Sequence, residues 1–580
     1  MKASDYIVEF LEEKGIRHFF GYQGTMIAHF VDSVCNNKKT MNHCCYNEQG
    51  AAFAAVGQAK STGRTTVAYA TSGPGAVNLL SGIADAYYDS APVIFITGQL
   101  NTYEYTGIDG IRQNGFQEMD VVSASKGVSK YCVKVENKED IRYILEKAYY
   151  MTTEGRPGPV VIDLPMNMQR EDIDPQTLKG FTPKAVESKD AENKDAAKQI
   201  IEALNNAVSP VFVLGNGIIK NSPTHEKIIS IARKMKIPVV TSMLGRHLLN
   251  NDDELNFGHL GGGYGHRFAN IITYKKADLL VSLGCSLCKR QTAMNTEKFA
   301  ANGKIIRVEI DQHELQRVIH KDDLVFNLDC NQVIDELASS LEDTSNKGYE
   351  NWLEKCKIIR EKLNDFDNSC QDRKPNTFID AISDFAEEGM GIACDVGQHQ
   401  VWTSQSFKVK DNQRLIFSGG HGAMGFALPA SIGAFYGLEK RSMAICGDGA
   451  MQMNIQELQW IAREEIPVTI IVLNNDSLGL IQQQQEDIFE SRFFGSTREG
   501  GYTSPDFKKV GQAYGIESYK VESIEELRSV LAKGNTEKPM LVEVLLDIKS
   551  RAYPKTYFGE EMYNQRPYIS DKLMEELLAL

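Results

Sequence analysis

Two short motifs in the last third of the chain place oxygen atoms that could bind a metal at the ends of two apolar runs. Gly447-Asp448-Gly449 follows the apolar run from Met443 to Cys446, and Asn475 closes the next apolar run. Glycines at a helix start let backbone N–H groups approach a diphosphate. Asp448 and Asn475 supply hard oxygen ligands of the kind that Mg²⁺ takes in addition to phosphate oxygens. The two motifs therefore predict a site for a diphosphate and a magnesium ion.

The elements that must position these motifs lie between residues 441 and 485. Their order is an apolar strand, a glycine turn, apolar residues at helical spacing and a second apolar strand. Either motif alone is usually a plain turn. Here 24 residues, from Ala450 to Leu473, separate the two motifs, and a strand precedes each of them. This arrangement is similar to the thiamine diphosphate (ThDP) binding motif.

Further segments resemble, in the same order along the chain, the catalytic subunit of the acetolactate synthase family. They are NEQGAAFAA at 47–55, TSGPGAVNLLSGIADAY at 71–87, FQEMDVV at 116–122, DVGQHQVW at 395–402 and SGGHGAMGFALPASIGA at 418–434. The resemblance extends from about Ser4 to Asp547, and the ordered set is far more specific than any one segment. It implies an α/β enzyme that uses ThDP and Mg²⁺.

Four residues receive catalytic roles from this resemblance. Glu48 matches the glutamate that hydrogen-bonds the pyrimidine ring of ThDP and favours its imino tautomer, so that the cofactor's own amino group takes the C2 proton. As a residue at a predicted helix start, Glu48 could also be only a favourable charge on the helix dipole. Met424 matches the apolar wedge that holds the cofactor bent, and its alternative is an ordinary core methionine. Phe116 and Gln117 match residues that line the reaction chamber.

The resemblance also assigns the residues around the diphosphate and the metal. His399 belongs to the DVGQHQ turn at a strand end, although a single histidine is usually structural. Ser477 is expected to offer its backbone oxygen to the metal. The expected cofactor contacts are Val396, Gly397, Gln398, His399, Gly422, Met424, Gly447, Asp448, Gly449, Ala450, Asn475 and Ser477. The expected metal ligands are Asp448, Asn475 and Ser477.

FAD is a second cofactor that the resemblance implies. Members of the family carry FAD in their middle domain without using it for net redox chemistry. Gly215, Gly217, Arg290 and Asp311 fall at comparable places. On its own, the Gly-x-Gly pair at 215–217 is weak evidence, because most such pairs are turns.

Four polar residues depart from the family pattern near the expected reaction chamber. Gln23 and Thr25 lie in the segment that matches the family's GYPGG loop, His421 replaces a leucine, and Gln484 replaces a tryptophan that favours 2-oxobutyrate as acceptor. Buried polar groups cost free energy unless they find partners. A polar or charged acceptor would supply such partners. Alternatively, the four side chains bond to each other or to water.

Alternating helical and strand patterns predict the α/β class with three domains, each a parallel sheet flanked by helices. The expected units are a pyrimidine-binding domain at 1–170, a Rossmann-like central domain at 193–345, a diphosphate-binding domain at 376–548 and a tail at 549–580 that could act as a lid. Residues 346–375 are charged and largely helical and are expected to form a linker.

Composition narrows the function classes further. The chain has 580 residues, and 63 Lys and Arg against 77 Asp and Glu give a net charge of −14, which disfavours nucleic acid as a partner. No apolar run approaches the ~18 residues of a membrane span. The N-terminus interleaves apolar and acidic residues, unlike a signal peptide, so we expect a cytoplasmic protein.

These observations favour a decarboxylating carboligase that takes pyruvate and adds the two-carbon unit to an acceptor carbonyl, such as a second pyruvate. The alternatives are transfer to a keto-sugar or another polar acceptor, simple decarboxylation of a 2-oxo acid, and a non-catalytic regulatory protein with the ThDP fold. The presence of Glu48, Asp448 and Asn475 together speaks against the last. The resemblance further implies a homodimer or homotetramer with active sites at the dimer interface.

Overall fold

The computed structural model describes residues 1–104, 110–184, 187–261, 263–341, 347–534, 537–557 and 559–580. The described residues form three six-stranded sheets in which every strand pair is parallel. Helices cover both faces of each sheet, so the strands are apolar throughout rather than alternating. The predicted α/β class with three parallel sheets is confirmed.

The first sheet has the strand order β2-β1-β3-β4-β6-β5. Its strands are β1 (His18–Gly21), β2 (Met41–Cys44), β3 (Thr66–Ala70), β4 (Val93–Gln99), β5 (Tyr131–Lys134) and β6 (Val160–Pro165). Its helices are α1 (Ala3–Glu13), α2 (Ala28–Asn36), α3 (Glu48–Thr62), α4 (Pro74–Tyr88), α5 (Val121–Ser125), α6 (Ile141–Thr153) and α7 (Met166–Arg170).

The central sheet has the order β9-β8-β7-β10-β11-β12, which is the doubly wound Rossmann arrangement with a switch point between β7 and β10. Its strands are β7 (Pro210–Leu214), β8 (Val239–Thr241), β9 (Asn256–His259), β10 (Leu279–Leu283), β11 (Lys304–Val308) and β12 (Leu324–Phe326). Its helices are α8 (Asp190–Asn206), α9 (Pro223–Met235), α10 (Arg267–Ile271), α11 (Lys289–Thr292), α12 (Gln312–Leu315), α13 (Cys330–Leu341) and α14 (Glu350–Ser369).

The third sheet, β14-β13-β15-β16-β18-β17, repeats the strand order of the first. Its strands are β13 (Gly391–Cys394), β14 (Arg414–Phe417), β15 (Ser442–Gly447), β16 (Val468–Asn474), β17 (Glu517–Val521) and β18 (Met540–Leu545). The remaining helices are α15 (Lys374–Phe385), α16 (Gln398–Ser406), α17 (Ala427–Leu438), α18 (Asp448–Met453), α19 (Leu458–Arg463), α20 (Gly479–Ile488), α21 (Phe507–Ala513), α22 (Ile524–Lys533) and α23 (Asp571–Ala579).

The first and third sheets are joined by the crossing of α3 and α17, and the buried residues of both belong to one apolar cluster. The two helices approach closely because small residues face each other. A Cβ atom on Gly433 would lie 1.8 Å from the carbonyl oxygen of Ala54, and one on Gly57 would lie 2.3 Å from that of Ala430. This crossing fixes how the two sheets sit relative to each other.

The last thirty residues pack on the other domains. The carbonyl oxygens of Ser550 and Arg551 accept hydrogen bonds from Gln398 and Trp402 on α16. Farther along, Arg267 of the central domain donates to the carbonyl oxygen of Pro567 at 2.7 Å. Within the described ranges, no helix combines the length and apolar character needed to cross a membrane.

Candidate active site

The turn after β15 folds around the carboxylate of Asp448. This side chain accepts hydrogen bonds from the backbone N–H groups of Gly449 and Ser477, each at 3.0 Å, and so ties the end of β15 to the end of β16. Burial raises the pKa of Asp448 to about 7, against the lowering effect of these hydrogen bonds. A bound cation would hold the carboxylate ionised at neutral pH.

Asn475 lies next to this carboxylate turn and is oriented by Gln398. The Nδ2 atom of Asn475 donates to Oε1 of Gln398 at 3.1 Å, while Nε2 of Gln398 donates to the carbonyl oxygen of Ser550 at 2.9 Å. Because its amide nitrogen is engaged, Asn475 keeps its oxygen for another partner. The Oγ atom of Ser477 is buried without a hydrogen-bond partner among the described residues. One carboxylate, one amide oxygen and neighbouring backbone make a donor set that fits Mg²⁺ with a phosphate.

His399 lies on the opposite side of the turn, in the first turn of α16. Its Nε2 atom accepts the backbone N–H of Gly447 at 3.2 Å, which places the ring proton on Nδ1. Burial lowers the pKa of His399 to about 3, so the ring is neutral. Only glycine fits beside this ring, since a Cβ on Gly397 or Gly447 would lie 2.5 or 2.7 Å from it.

Met424 reaches the diphosphate turn from the loop before α17. Its Cε atom lies 3.3 Å from the position that a Cβ on Gly449 would take. The loop turns at Gly422 and Gly425, whose φ angles are 71° and 79°. Asp395, which the sequence reasoning missed, accepts the N–H groups of Phe426 and Ala427 at 3.0 and 3.2 Å and fixes the start of α17.

Glu48 is the first residue of α3 and is buried. Its carboxylate accepts a hydrogen bond from Nδ2 of Asn78 at 2.9 Å, a partner that the sequence reasoning also missed. No hydrogen bond or ion pair among the residues that the structure describes joins Glu48 to Asp448 or Asn475. Within one chain, Glu48 and the Asp448 turn are therefore not joined directly by a hydrogen bond or an ion pair.

Of the two residues predicted to line the reaction chamber, Phe116 and Gln117, the second lies against the TSGPG turn. The carbonyl oxygen of Gln117 is 2.9 Å from the position that a Cβ on Gly73 would take. Gln117 has a φ angle of 63°, and Phe116 is 78% exposed. An aromatic ring that is this exposed is accessible to a ligand or a second subunit.

The four departures from the family pattern are all exposed. The ring of His421 stacks on that of Tyr88 with 6.1 Å between centroids and 12° between planes. Gln484 projects from α20, and Gln23 and Thr25 lie near the end of β1. In the described part of the chain, no hydrogen bond joins any two of these four side chains, so they do not bond to each other as one alternative supposed.

A cavity of about 770 Å³ runs along the carboxyl ends of the central strands and reaches the first and third domains. Gly217 and Arg290 line it. Gly215 instead packs against the backbone of Gly284, and Asp311 caps α12 and pairs with Arg156 at 3.2 Å. Of the two acids that follow β11, Glu309 lines the cavity instead of Asp311; it is the first residue after the strand, and burial raises its pKa. Its position directly after an apolar strand could have identified Glu309 from the sequence as a residue of the cavity.

Comparisons with known proteins show the family of the chain. Three family models match the chain: the N-terminal TPP binding domain of thiamine pyrophosphate enzymes at 1–124, their central domain at 197–337 and their C-terminal TPP binding domain at 395–544. The acetolactate synthase large subunit of Lactococcus lactis is 32% identical over 554 residues, covering 95% of this chain and 94% of that protein.

Two further relatives extend the similarity to other organisms. The acetolactate synthase isozyme 1 large subunit of Escherichia coli is 32% identical and covers 95% of each chain. The chloroplastic acetolactate synthase 2 of Nicotiana tabacum is 31% identical and covers 95% of this chain and 83% of its own.

Proposed function

Because the chain belongs to the thiamine pyrophosphate enzymes, among the acetolactate synthase large subunits, we propose that it is a ThDP- and Mg²⁺-dependent carboligase that decarboxylates pyruvate and adds the two-carbon unit to an acceptor carbonyl. The observation that carries this proposal is the buried turn in which Asp448, Asn475 and Ser477 lie together at two strand ends. ThDP, when bound, supplies the electron sink for decarboxylation.

The protein's own contribution begins with holding the diphosphate. Asp448, Asn475 and the backbone of Ser477 would hold Mg²⁺, which would supply positive charge to offset that of the diphosphate. Neutral His399 offers its Nδ1–H as a donor to a phosphate oxygen, and its low pKa means that it donates without carrying charge. Met424, above Gly449, would press on the bound cofactor and exclude water from it.

Glu48 would hold a proton at the pyrimidine ring. Asn78 fixes its carboxylate, and burial among apolar groups strengthens any hydrogen bond that it makes. Since no hydrogen bond or ion pair among the described residues joins Glu48 to the Asp448 turn of its own chain, we propose that it serves the turn of a second subunit. The assembly would then be a homodimer or a homotetramer with sites between subunits.

FAD is proposed as the occupant of the central cavity. The cavity lies over the switch point of a Rossmann sheet, where such folds bind dinucleotides. Its size is within the range of cofactor pockets. Nδ1 atoms of His247 and His259 line it without hydrogen-bond partners in the described structure, and a bound ligand would supply these partners.

The test is product analysis with the purified protein. ThDP, Mg²⁺ and pyruvate should give CO₂ and acetolactate, identified by mass spectrometry, and a panel of carbonyl acceptors containing 2-oxobutyrate and keto-sugars should reveal the preferred acceptor. CO₂ without any ligated product would instead indicate a simple decarboxylase. If neither CO₂ nor a ligated product forms while ThDP binds, the catalytic proposal is wrong.

A further inference from the structure

One corner of the central cavity, at the ends of β7 and β8, carries positive charge without a paired acid. Lys220 and Arg414 both line this corner, and Lys220 is 5% exposed. Neither forms an ion pair within 4.0 Å with any carboxylate in the described residues. The ammonium group of Lys220 has only a 3.5 Å contact with Oδ1 of Asn250. Arg414 is partly buried, whereas Lys220 is a buried cation without a counter-ion, which is costly and implies a missing anionic partner.

The groups around this corner add to its preference for an anion. Arg414 donates to the backbone carbonyl oxygen of Lys220 at 3.1 Å and to those of Asn412 and Gln413, so its guanidinium group is bonded only to neutral acceptors among the described residues. His247 is 94% buried, and its Nδ1 atom faces no partner in the described structure. Arg246, also buried, raises the local positive potential further, whereas the one nearby acid, Asp411, is exposed and accepts a hydrogen bond from Asn250.

The opposite end of the cavity is lined by acidic residues instead of basic ones. Glu309 follows β11, and Asp329 follows β12, and both line the cavity. The carboxylates of these two acids can accept hydrogen bonds from ribose hydroxyl groups. With strands about 4.8 Å apart, β7 and β8 lie roughly 10–14 Å from β11. A nucleotide whose ribose sits at Glu309 would therefore reach the Lys220 corner with its phosphates or with the group beyond them.

We propose that Lys220, His247 and Arg414 form an anion subsite, which binds the negatively charged portion of a nucleotide whose ribose lies at Glu309. The inference rests on the proposed binding of a nucleotide cofactor in this cavity and names residues that the sequence did not indicate. The ligand group that the subsite recognises is an anion, which is either a phosphate or the ring of a reduced flavin. Lys220 and Arg414 would bind it by charge-assisted hydrogen bonds, and His247 would donate from a ring nitrogen.

The test measures nucleotide binding directly. The full-length protein, freed of bound flavin by dialysis against bromide, is titrated calorimetrically with FAD, ADP and uncharged riboflavin at two salt concentrations. Lys220→Gln and His247→Asn are compared with the wild type. Lys198→Gln, at an exposed position on α8, is the matched control. Loss of a charge-assisted hydrogen bond should weaken FAD binding about tenfold or more in Lys220→Gln and reduce its salt dependence, with riboflavin unchanged.

Comparing the binding of ADP with that of reduced FAD identifies which group of the nucleotide carries the negative charge that the subsite binds. Weaker ADP binding in Lys220→Gln assigns the subsite to a phosphate, whereas unchanged ADP binding with weaker binding of dithionite-reduced FAD assigns it to the flavin ring. The proposal is overturned if the wild type binds neither FAD nor ADP, or if Lys220→Gln binds all ligands within twofold of the wild type. Acetolactate formation is followed in the same samples, so failure of the carboligase proposal is seen separately.

Discussion

At the scale of single residues, two buried aspartates at the ends of neighbouring strands have different roles. Both carboxylate oxygens of Asp395 accept N–H groups of α17, which leaves them committed to holding the loop that carries Met424. Asp448 also receives one N–H on each oxygen, from Gly449 and Ser477, but these donors follow two different strands, β15 and β16. Asp395 therefore fixes the loop that carries Met424, whereas Asp448 joins the two strand ends at which we propose a metal.

Replacing Asp448 by alanine should abolish ThDP binding rather than only slow turnover, because the ion that bridges protein and diphosphate would lose its carboxylate. We expect ThDP affinity in the presence of Mg²⁺ to fall by about 100-fold or more. Isothermal titration calorimetry measures this affinity. Asp547→Ala, at an exposed position in the same domain, is the control and should bind normally. Normal affinity in Asp448→Ala would contradict the metal assignment.

Replacing Gln484 by tryptophan should shift the acceptor preference towards 2-oxobutyrate. Gln484 is exposed on α20 and has no hydrogen-bond partner in the described structure, so it is available to a polar acceptor. An apolar surface gains only ~1–3 kcal/mol per methylene, whereas a polar site discriminates strongly against an acceptor that lacks its partner. Competition between pyruvate and 2-oxobutyrate, with products separated by chromatography, gives the ratio. A wild type that already prefers 2-oxobutyrate would contradict the proposed polar acceptor site.

At the scale of elements, the strand, turn and strand around Asp448 could be predicted from the sequence, because apolar runs and glycine turns are local signals. The apolar spacing predicts a helix between them, and the structure has two, α18 and α19, on either side of Asn454, whose side chain donates to Gly425 and to Gln49 of α3. The contact with Gln49 joins residues that are 405 positions apart. No local pattern predicts this contact, and the same holds for the pairing of Asn78 with Glu48.

In the central domain, too, the sequence alone does not decide which residue faces the site. Glu309 and Asp311 are both acids after one strand, and only the position at which β11 ends decides which of them faces the cavity. The high charge of residues 346–375 predicts a linker, although these residues also contain apolar side chains at regular spacing. In the structure, α14 buries Trp352, Leu363 and their apolar neighbours in the central core.

The crossing of α3 and α17 gives a prediction at this scale. Gly433→Ala would place a Cβ 1.8 Å from the carbonyl oxygen of Ala54, so the two helices must separate. We expect a loss of about 1–3 kcal/mol in the free energy of unfolding, as for other overpacked cores. Gly127→Ala is the matched control, since no atom lies within 4 Å of its new Cβ. Urea denaturation of both variants checks the prediction, and equal midpoints would contradict the close approach.

At the scale of the whole molecule, the first and third domains share a strand order and one apolar cluster, and they also meet through buried polar contacts. Glu457 of the third domain is fully buried and accepts the backbone N–H of Tyr46 in the first domain through both oxygens, at 3.2 and 3.1 Å. Burial raises the pKa of Glu457 from 4.5 to about 7. This contact makes the domain interface sensitive to pH.

The sign of this sensitivity follows from proton binding. The folded protein holds the Glu457 proton more tightly than the unfolded chain, so its contribution to stability is present below pH 4.5 and is lost as the pH rises to about 7. Glu457→Gln, which keeps the neutral form, should show a smaller loss of stability between pH 5 and pH 8. Urea midpoints at both values measure it, with the exposed Glu525→Gln as control. Parallel pH profiles of Glu457→Gln and the wild type would contradict the assignment.

The separation of Glu48 from the Asp448 turn within one chain leads to a prediction about assembly. If each site combines Glu48 of one subunit with Asp448 of another, two inactive variants should complement each other. A hybrid of a Glu48→Gln subunit and an Asp448→Ala subunit contains one site with both residues intact. Random pairing makes half of the dimers hybrid, so co-expression should restore about a quarter of the wild-type activity. Co-expression of Glu48→Gln with Glu48→Ala is the control and should restore none. If the hybrid mixture is as inactive as its parents, each chain builds its own site, and Glu48 must then reach Asp448 by a rearrangement within the subunit.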